Sequence, residues 1–109
     1  MTTSRTIQPT EQTYDEALAA TAGLVMVDFW APWCGPCRVI GPVLDEFAEA
    51  EADRVTVMKV NIDEQPGLAA RYDIRSIPTV LFIKDSQLVD RVVGAVPRAT
   101  LQRLVDAHA

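Results

Sequence analysis

The sequence predicts an α/β fold, a mixed sheet with helices on both faces, and three observations carry that expectation. Two Val-rich apolar runs, LVMVDFW (24–30) and RVTVMKVNI (54–62), bracket a stretch with helical spacing. Two further runs, TVLFI (79–83) and LVDRVVGA (88–95), are separated by only a short polar segment. The segments before the first run and after the last carry helix-start signals. At 109 residues the chain is read as one domain over 1–109, long enough for a single core. Seven prolines and five glycines are scattered rather than clustered, so no linker, repeat or low-complexity tract is expected.

The elements follow in order. Thr13-Tyr14-Asp15-Glu16 has the form of a capping box, Thr13 accepting and Glu16 reaching back, which predicts a first helix to about Thr21. Gly23 ends it. The nearly unbroken apolar run 24–30 is the pattern of a strand covered on both faces. From about Cys37 to Ala50, apolar residues fall at Val39, Ile40, Val43, Leu44 and Phe47, as in a helix. Pro42 lies inside that helix and lacks a backbone donor, so a kink rather than an end is expected. Strand, helix and strand make a βαβ unit, in which 24–30 and 54–62 lie parallel with a right-handed crossover. A short helix is expected around Leu68 to Tyr72. Lys84-Asp85-Ser86-Gln87 then joins 79–83 and 88–95 as an antiparallel hairpin. Pro97 suits the first turn of a last helix whose Leu101, Leu104 and Val105 face the sheet.

Charge and hydropathy exclude several classes of function. A net charge of −5 argues against nucleic acid, whose binders carry basic patches. No apolar run approaches membrane-spanning length, and MTTSRTIQPT (1–10) lacks the apolar core of a signal peptide. A cytoplasmic location is the expectation, and a reducing compartment does not sustain structural disulfides.

That makes the placement of the only two cysteines, Cys34 and Cys37, informative. Structural zinc needs four ligands, and the chain offers these two thiols and one histidine, His108, far along the last helix, so no metal is expected. An inert buried pair is the bland alternative. A redox dithiol at a strand-to-helix junction is the reading that the context favours. Cys34 falls at the helix mouth, where backbone N–H groups lack partners and the macrodipole is positive. A thiolate there gains about 1–2 kcal/mol, roughly one pK unit, and the thiolate is the attacking species. Gly35 keeps bulk away from an approaching partner, and Pro36 stiffens the loop without losing a needed donor. Cys37, three residues on, is expected to be the more deeply set. Cys34 therefore attacks and Cys37 resolves.

Asp28 interrupts an apolar run. It is either a solvated acid at a strand end or a buried carboxylate whose raised pKa lets it take the proton of Cys37. Lys59 alternates with Val55 and Val57, so it either points inward to pair with Asp28 or snorkels to solvent. Trp30 is read as packing beneath the loop or shaping it, and Trp33 as exposed to partners. Gly94 either relieves strand crowding or admits a substrate backbone. The acids of EFAEAEAD (46–53) read as a solvated face, and His108 as a surface residue of a fraying tail.

DFWAPWCGPC (28–37), KVNID (59–63), IRSIPT (74–79) and VGA (93–95), in that order, resemble the thioredoxin family almost end to end. The resemblance implies the thioredoxin fold, a central mixed sheet of about five strands flanked by about four helices. It implies a thiol-disulfide oxidoreductase with no bound cofactor, its redox-active disulfide formed by Cys34 and Cys37. It further implies a monomeric protein-disulfide reductase, re-reduced by a flavin-containing, NADPH-dependent thioredoxin reductase. Trp33, Ile77, Pro78, Val93, Gly94 and Ala95 would receive the substrate chain, with Ile62 at the edge and Pro78 in the cis form. The sequence departs from the family pattern at Ser76 and Ser86, where Gly is common, and at Arg38, where Lys is common. An oxidase or isomerase fits less well, because those relatives carry His where Pro36 stands. A binding module from a different class, holding partners through the same surface without turnover, is the alternative reading.

Overall fold

The structure, a computed structural model, describes residues 5–109. The part of the opening segment formed by residues 1–4 lies outside the described residues. The element order is α1 (Tyr14–Ala19), β1 (Leu24–Trp30), α2 (Gly35–Ala50), β2 (Val55–Asn61), α3 (Pro66–Arg71), β3 (Thr79–Lys84), β4 (Gln87–Val93) and α4 (Arg98–His108).

Four strands form one mixed sheet in the order β2-β1-β3-β4. β1 runs parallel to β2 and antiparallel to β3, and β3 pairs antiparallel with β4. Among the described residues the sheet therefore has one strand fewer than the family resemblance implies. What stands beside β2 is a single bridge from Ile7 to Met58, held by Ile7 N to Val57 O at 2.9 Å and Lys59 N to Ile7 O at 2.8 Å. Pro9, two residues on, has no N–H to extend that ladder, which fits a bridge rather than a strand.

Alternation along β1 divides the core. Leu24 and Met26 face α2 and α4, packing with Ile40, Leu44, Phe47, Leu101 and Val105. Val25, Val27 and Phe29 face the opposite layer with Tyr14, Leu18 and Leu68 of α1 and α3. Helices thus cover both faces, and β1 is buried over its first six residues. Asp28 belongs by parity to the face under α2, in the middle of an apolar layer.

Several boundaries differ from the sequence reading for local reasons. The capping box does not form, because Thr13 is already helical (φ −110°, ψ −7°) and its side chain cannot reach forward. Thr13 Oγ1 instead accepts from Thr10 N at 2.8 Å, and Tyr14 N donates to Thr10 O at 2.9 Å, so the winding starts a turn earlier. α2 passes through Pro42 without ending. Pro97 sits at the N-cap of α4 rather than within its first turn. The end of α4 is tied down rather than frayed: His108 Nε2 lies 3.2 Å from Asp90 Oδ2, and Lys84 Nζ donates to His108 O at 2.9 Å.

The hairpin closes more tightly than expected, with Lys84 and Gln87 paired and only Asp85-Ser86 in the turn. Both turn residues have positive φ, 53° and 63°. That is the two-residue geometry whose twist matches the strands and which favours Gly at its second position. Ser86 carries a Cβ in the left-handed region, at a cost of about 1 kcal/mol. Ser86→Gly should therefore raise the unfolding free energy by about 0.5 kcal/mol after allowance for the freer unfolded chain. Urea denaturation measures it, and an unchanged or lowered midpoint would refute the assigned turn strain.

Candidate active site

The site forms where β1 hands over to α2. After Trp30 the chain turns through Ala31, which is buried, and Cys34 N donates to Ala31 O at 3.1 Å. Cys34 is the N-cap of α2, in extended backbone geometry, with Pro36 in the first turn. Its Sγ accepts a hydrogen bond from Cys37 N at 3.2 Å. The sulfur occupies the place that a Ser or Asp oxygen takes in an ordinary cap. Cys34 and Cys37 are joined as a disulfide, with Cα atoms 5.3 Å apart.

Burial does not separate the two cysteines. Cys34 is 4% exposed and Cys37 is 5% exposed, so the expectation that Cys37 is more deeply set is not met at the level of whole residues. What separates them is surroundings. Cys34 Sγ lies 3.8 Å from Ile77 O, on the side of the cis Ile77-Pro78 peptide. Cys37 lines the groove behind the disulfide together with Asp28. Trp30, Ile62 and Ile77 pack around the pair.

The surrounding loop is held by named contacts. Trp33 is 66% exposed, and its Nε1 donates to Asp63 Oδ2 at 3.1 Å. Arg38 Nη2 donates to Pro32 O at 2.8 Å, tying the first helical turn back to the loop. Val93 is also exposed, at 54%. A Cβ built on Gly35 or Gly94 would meet nothing within 4 Å, so open space stands over both backbones. Gly94 has φ +96°, a second reason for Gly there. Ile62 and Ile77 are half-buried and Ala95 is exposed, whereas Pro78 is buried.

Behind the disulfide, a groove of about 340 Å³ is lined by Asp28, Trp30, Cys37, Gly41, Asp45 and Lys59, among others. Asp28 is 2% exposed, and its Oδ1 has no hydrogen-bond partner among the described residues. The reading of a solvated acid is excluded. Burial lifts the Asp28 pKa to about 7; the Lys59 ammonium opposes the rise and the Asp45 carboxylate adds to it. The direct pairing expected between Lys59 and Asp28 does not form. The two are opposite each other in the β1–β2 register, but Lys59 Nζ reaches across to Asp45 Oδ1 at 2.7 Å and donates to Gly41 O at 3.4 Å. A partly solvated pair at the rim costs less desolvation than two ions brought together beneath it.

Two site residues escape the sequence reading. Asp63 is part of KVNID, but nothing local to that stretch says that it anchors an indole thirty residues away. Asp45 carried a signal: Cys37, Gly41 and Asp45 are spaced by four, one stripe along a helix. Trp30 Nε1 is buried without a protein partner and borders the same groove. Among the described residues, no cluster of three or more His, Cys, Asp or Glu side chains assembles that could hold a metal ion. No helix among them is long and apolar enough to cross a membrane.

With this geometry in view, the comparisons are specific. The thioredoxin family model matches residues 5–107. Thioredoxin 1 of Synechococcus elongatus is 52% identical over 99 residues, covering 91% of this chain and 92% of that protein. Thioredoxin 1 of a Nostoc species is 48% identical over 105 residues, covering 96% and 98%. The chloroplastic M-type thioredoxin of Pisum sativum is 49% identical over 98 residues, covering 90% of this chain and 57% of the longer plant protein.

The buried acid carries a stability signature. A carboxyl moved from near 4 to about 7 by folding binds its proton more tightly in the native state. The native state is then penalised as pH rises between those values, fully above 7 and not at all below 4. Asp28→Ala should stabilise the oxidised protein by about 2–4 kcal/mol at pH 8, with the gain shrinking steadily toward pH 4. Denaturant unfolding at both pH values tests this, and a gain that does not depend on pH would contradict the assignment.

Proposed function

The chain belongs to the thioredoxin family and is a thiol-disulfide oxidoreductase, and from that premise we propose that it works as a general protein-disulfide reductase. The observation that supports this most directly is the Cys34 sulfur at the N-cap of α2. In the reduced protein, the same amide and the helix dipole favour a negative sulfur over a neutral thiol.

The Cys34 thiolate attacks one sulfur of a substrate disulfide, forms a mixed disulfide with it, and expels the other as a thiolate. Cys37 then gives its proton to Asp28 and attacks Cys34 Sγ, expelling the second substrate sulfur as a thiolate and forming the Cys34–Cys37 disulfide. Two electrons have passed to the substrate. Asp28 suits the proton step because it lines the same groove as Cys37 and titrates near neutrality. Lys59 tunes it electrostatically from the rim of that groove.

The receiving surface comprises Trp33, Ile62, Ile77, Val93, Gly94 and Ala95, with Pro78 beneath. Support comes from the exposed Trp33 and Val93 and the open space over Gly94. A substrate segment would lie extended there, backbone close to Gly94, as in strand addition. Ser76, exposed beside this surface, adds a polar contact where many relatives have none.

The cycle closes when a flavin-containing thioredoxin reductase returns electrons from NADPH. No cofactor needs to be bound, because the two sulfurs store both electrons. The carrier acts as a monomer made of a single domain over 1–109. The cytoplasm is its proposed location, since a dithiol reductant needs a compartment that keeps it reduced.

NADPH oxidation coupled to reduction of a model protein disulfide, with thioredoxin reductase present, should proceed with the native chain and fail with Cys34→Ser. No turnover with the native chain would sink the reading. Asp28→Asn should slow resolution of the mixed disulfide about tenfold or more while leaving the first attack nearly intact. Stopped-flow traces with equal resolution rates would remove Asp28 from the mechanism.

A further inference from the structure

The groove behind the disulfide contains a charge that the redox reading does not use. Asp45 lies on α2 one turn beyond Gly41 and two beyond Cys37, on the stripe of the helix that faces the groove. Its carboxylate grips Lys59 Nζ at 2.7 Å, and the Gly41 carbonyl accepts from the same ammonium at 3.4 Å. Lys59 leaves β2 directly opposite Asp28, yet its ammonium ends at the rim of the groove, where Asp45 is about half exposed. Asp28 stays below with one oxygen unpartnered.

We propose that Asp45 is a positioning residue for the resolving step: it draws the Lys59 ammonium away from Asp28 and so keeps that carboxyl basic enough to accept the Cys37 proton. The inference rests on the reading of Asp28 as the proton acceptor. Two effects of Asp45 act in the same direction. Its negative charge disfavours a second anion nearby, and its hold on Lys59 withholds the cation that stands opposite Asp28 in the sheet. Without Asp45 the flexible lysine is free to swing inward and pair with Asp28, turning a poised acid into an ordinary buried salt bridge.

The other groups facing Asp28 do not replace Asp45. From β1 and β3, the sheet neighbours of Asp28 are apolar, Val27, Phe29 and Val80. From α2, Arg38 lines the groove, but its guanidinium is engaged by Pro32 O at 2.8 Å. Glu46 and Glu49, further along α2, are paired with Arg98 and Arg5. Lys59 is the only charge that β2 directs into the groove.

The test follows the Asp28 carboxyl directly by its ¹³C NMR shift against pH, in the oxidised native chain and in variants. Asp45→Asn should lower the inflection by about half a pH unit or more, and Asp45→Glu should restore it. An unchanged inflection in Asp45→Asn overturns the proposal. Lys59→Met supplies the second arm, as a double-mutant cycle. In that background the Asp45→Asn shift should fall to less than half its size, and a shift of full size would mean simple repulsion and overturn the positioning role. Rates of mixed-disulfide resolution from pH 5 to 9 complete the set. The acid limb of the profile should move with the NMR inflection, and its plateau should fall about threefold in Asp45→Asn. An NMR shift with no change in rate would withdraw Asp28 as the base, and with it the catalytic consequence of Asp45, while the native chain's NADPH-coupled turnover remained as the separate check on the reductase reading.

Discussion

Helix α2 needs an acceptor for the amide of Cys37, and Cys34 provides it with sulfur. An oxygen cap would satisfy the same amide and do no redox chemistry. Because the cap is a cysteine, the field that stabilises the helix start is also the field that favours a thiolate. The surrounding structure maintains that coincidence. β1 ends at Trp30, Ala31 is buried against the cysteines, and the Arg38 guanidinium fastens the first helical turn to Pro32 O. Moving the start of α2 by one residue would leave the sulfur outside the amide's reach.

The second constraint is the carboxyl beneath the disulfide. An acid in an apolar layer destabilises the native fold at neutral pH, and apolar residues of similar size would pack there without that penalty. The proposed proton transfer from Cys37 gives that carboxyl a use that would offset the penalty. The Lys59 ammonium limits that cost from a distance, while the exposed Asp45 carboxylate, which holds the lysine at the rim, adds to it. In the proposed mechanism stability and function pull on Asp28 in opposite directions, with the Lys59–Asp45 pair between them.

Much of the architecture was legible from local pattern. The strands at 24–30 and 55–61, the long helix through Pro42 and the last helix all follow from hydrophobic period, because each buries one or two faces along its whole length. The errors fall where side chains compete for the same donors or where a strand has little length. Thr10 displaced Thr13 as the acceptor of the first turn. Of the about five strands that the resemblance implies, the described residues form four, with only a bridge at Ile7 beside β2. The tail at His108, read as loose, is held by Asp90 and Lys84 from the hairpin.

By itself the sequence favoured the reaction class: two cysteines three apart, at the junction of a strand and a helix, read better as a redox pair than as a zinc site or inert thiols. It left Asp28 open between a solvated strand end and a buried site, and burial at 2% exposure was settled only by the packing of α2 over β1. Only the tertiary structure decided what each charged group touches. Lys59 stands opposite Asp28 on the adjacent strand, and nothing in either strand records that α2 brings Asp45 within 2.7 Å of its ammonium. Period and spacing fix the face on which a side chain lies, whereas its partner depends on how two elements pack, and a long flexible lysine can choose among all the anions that packing brings within reach.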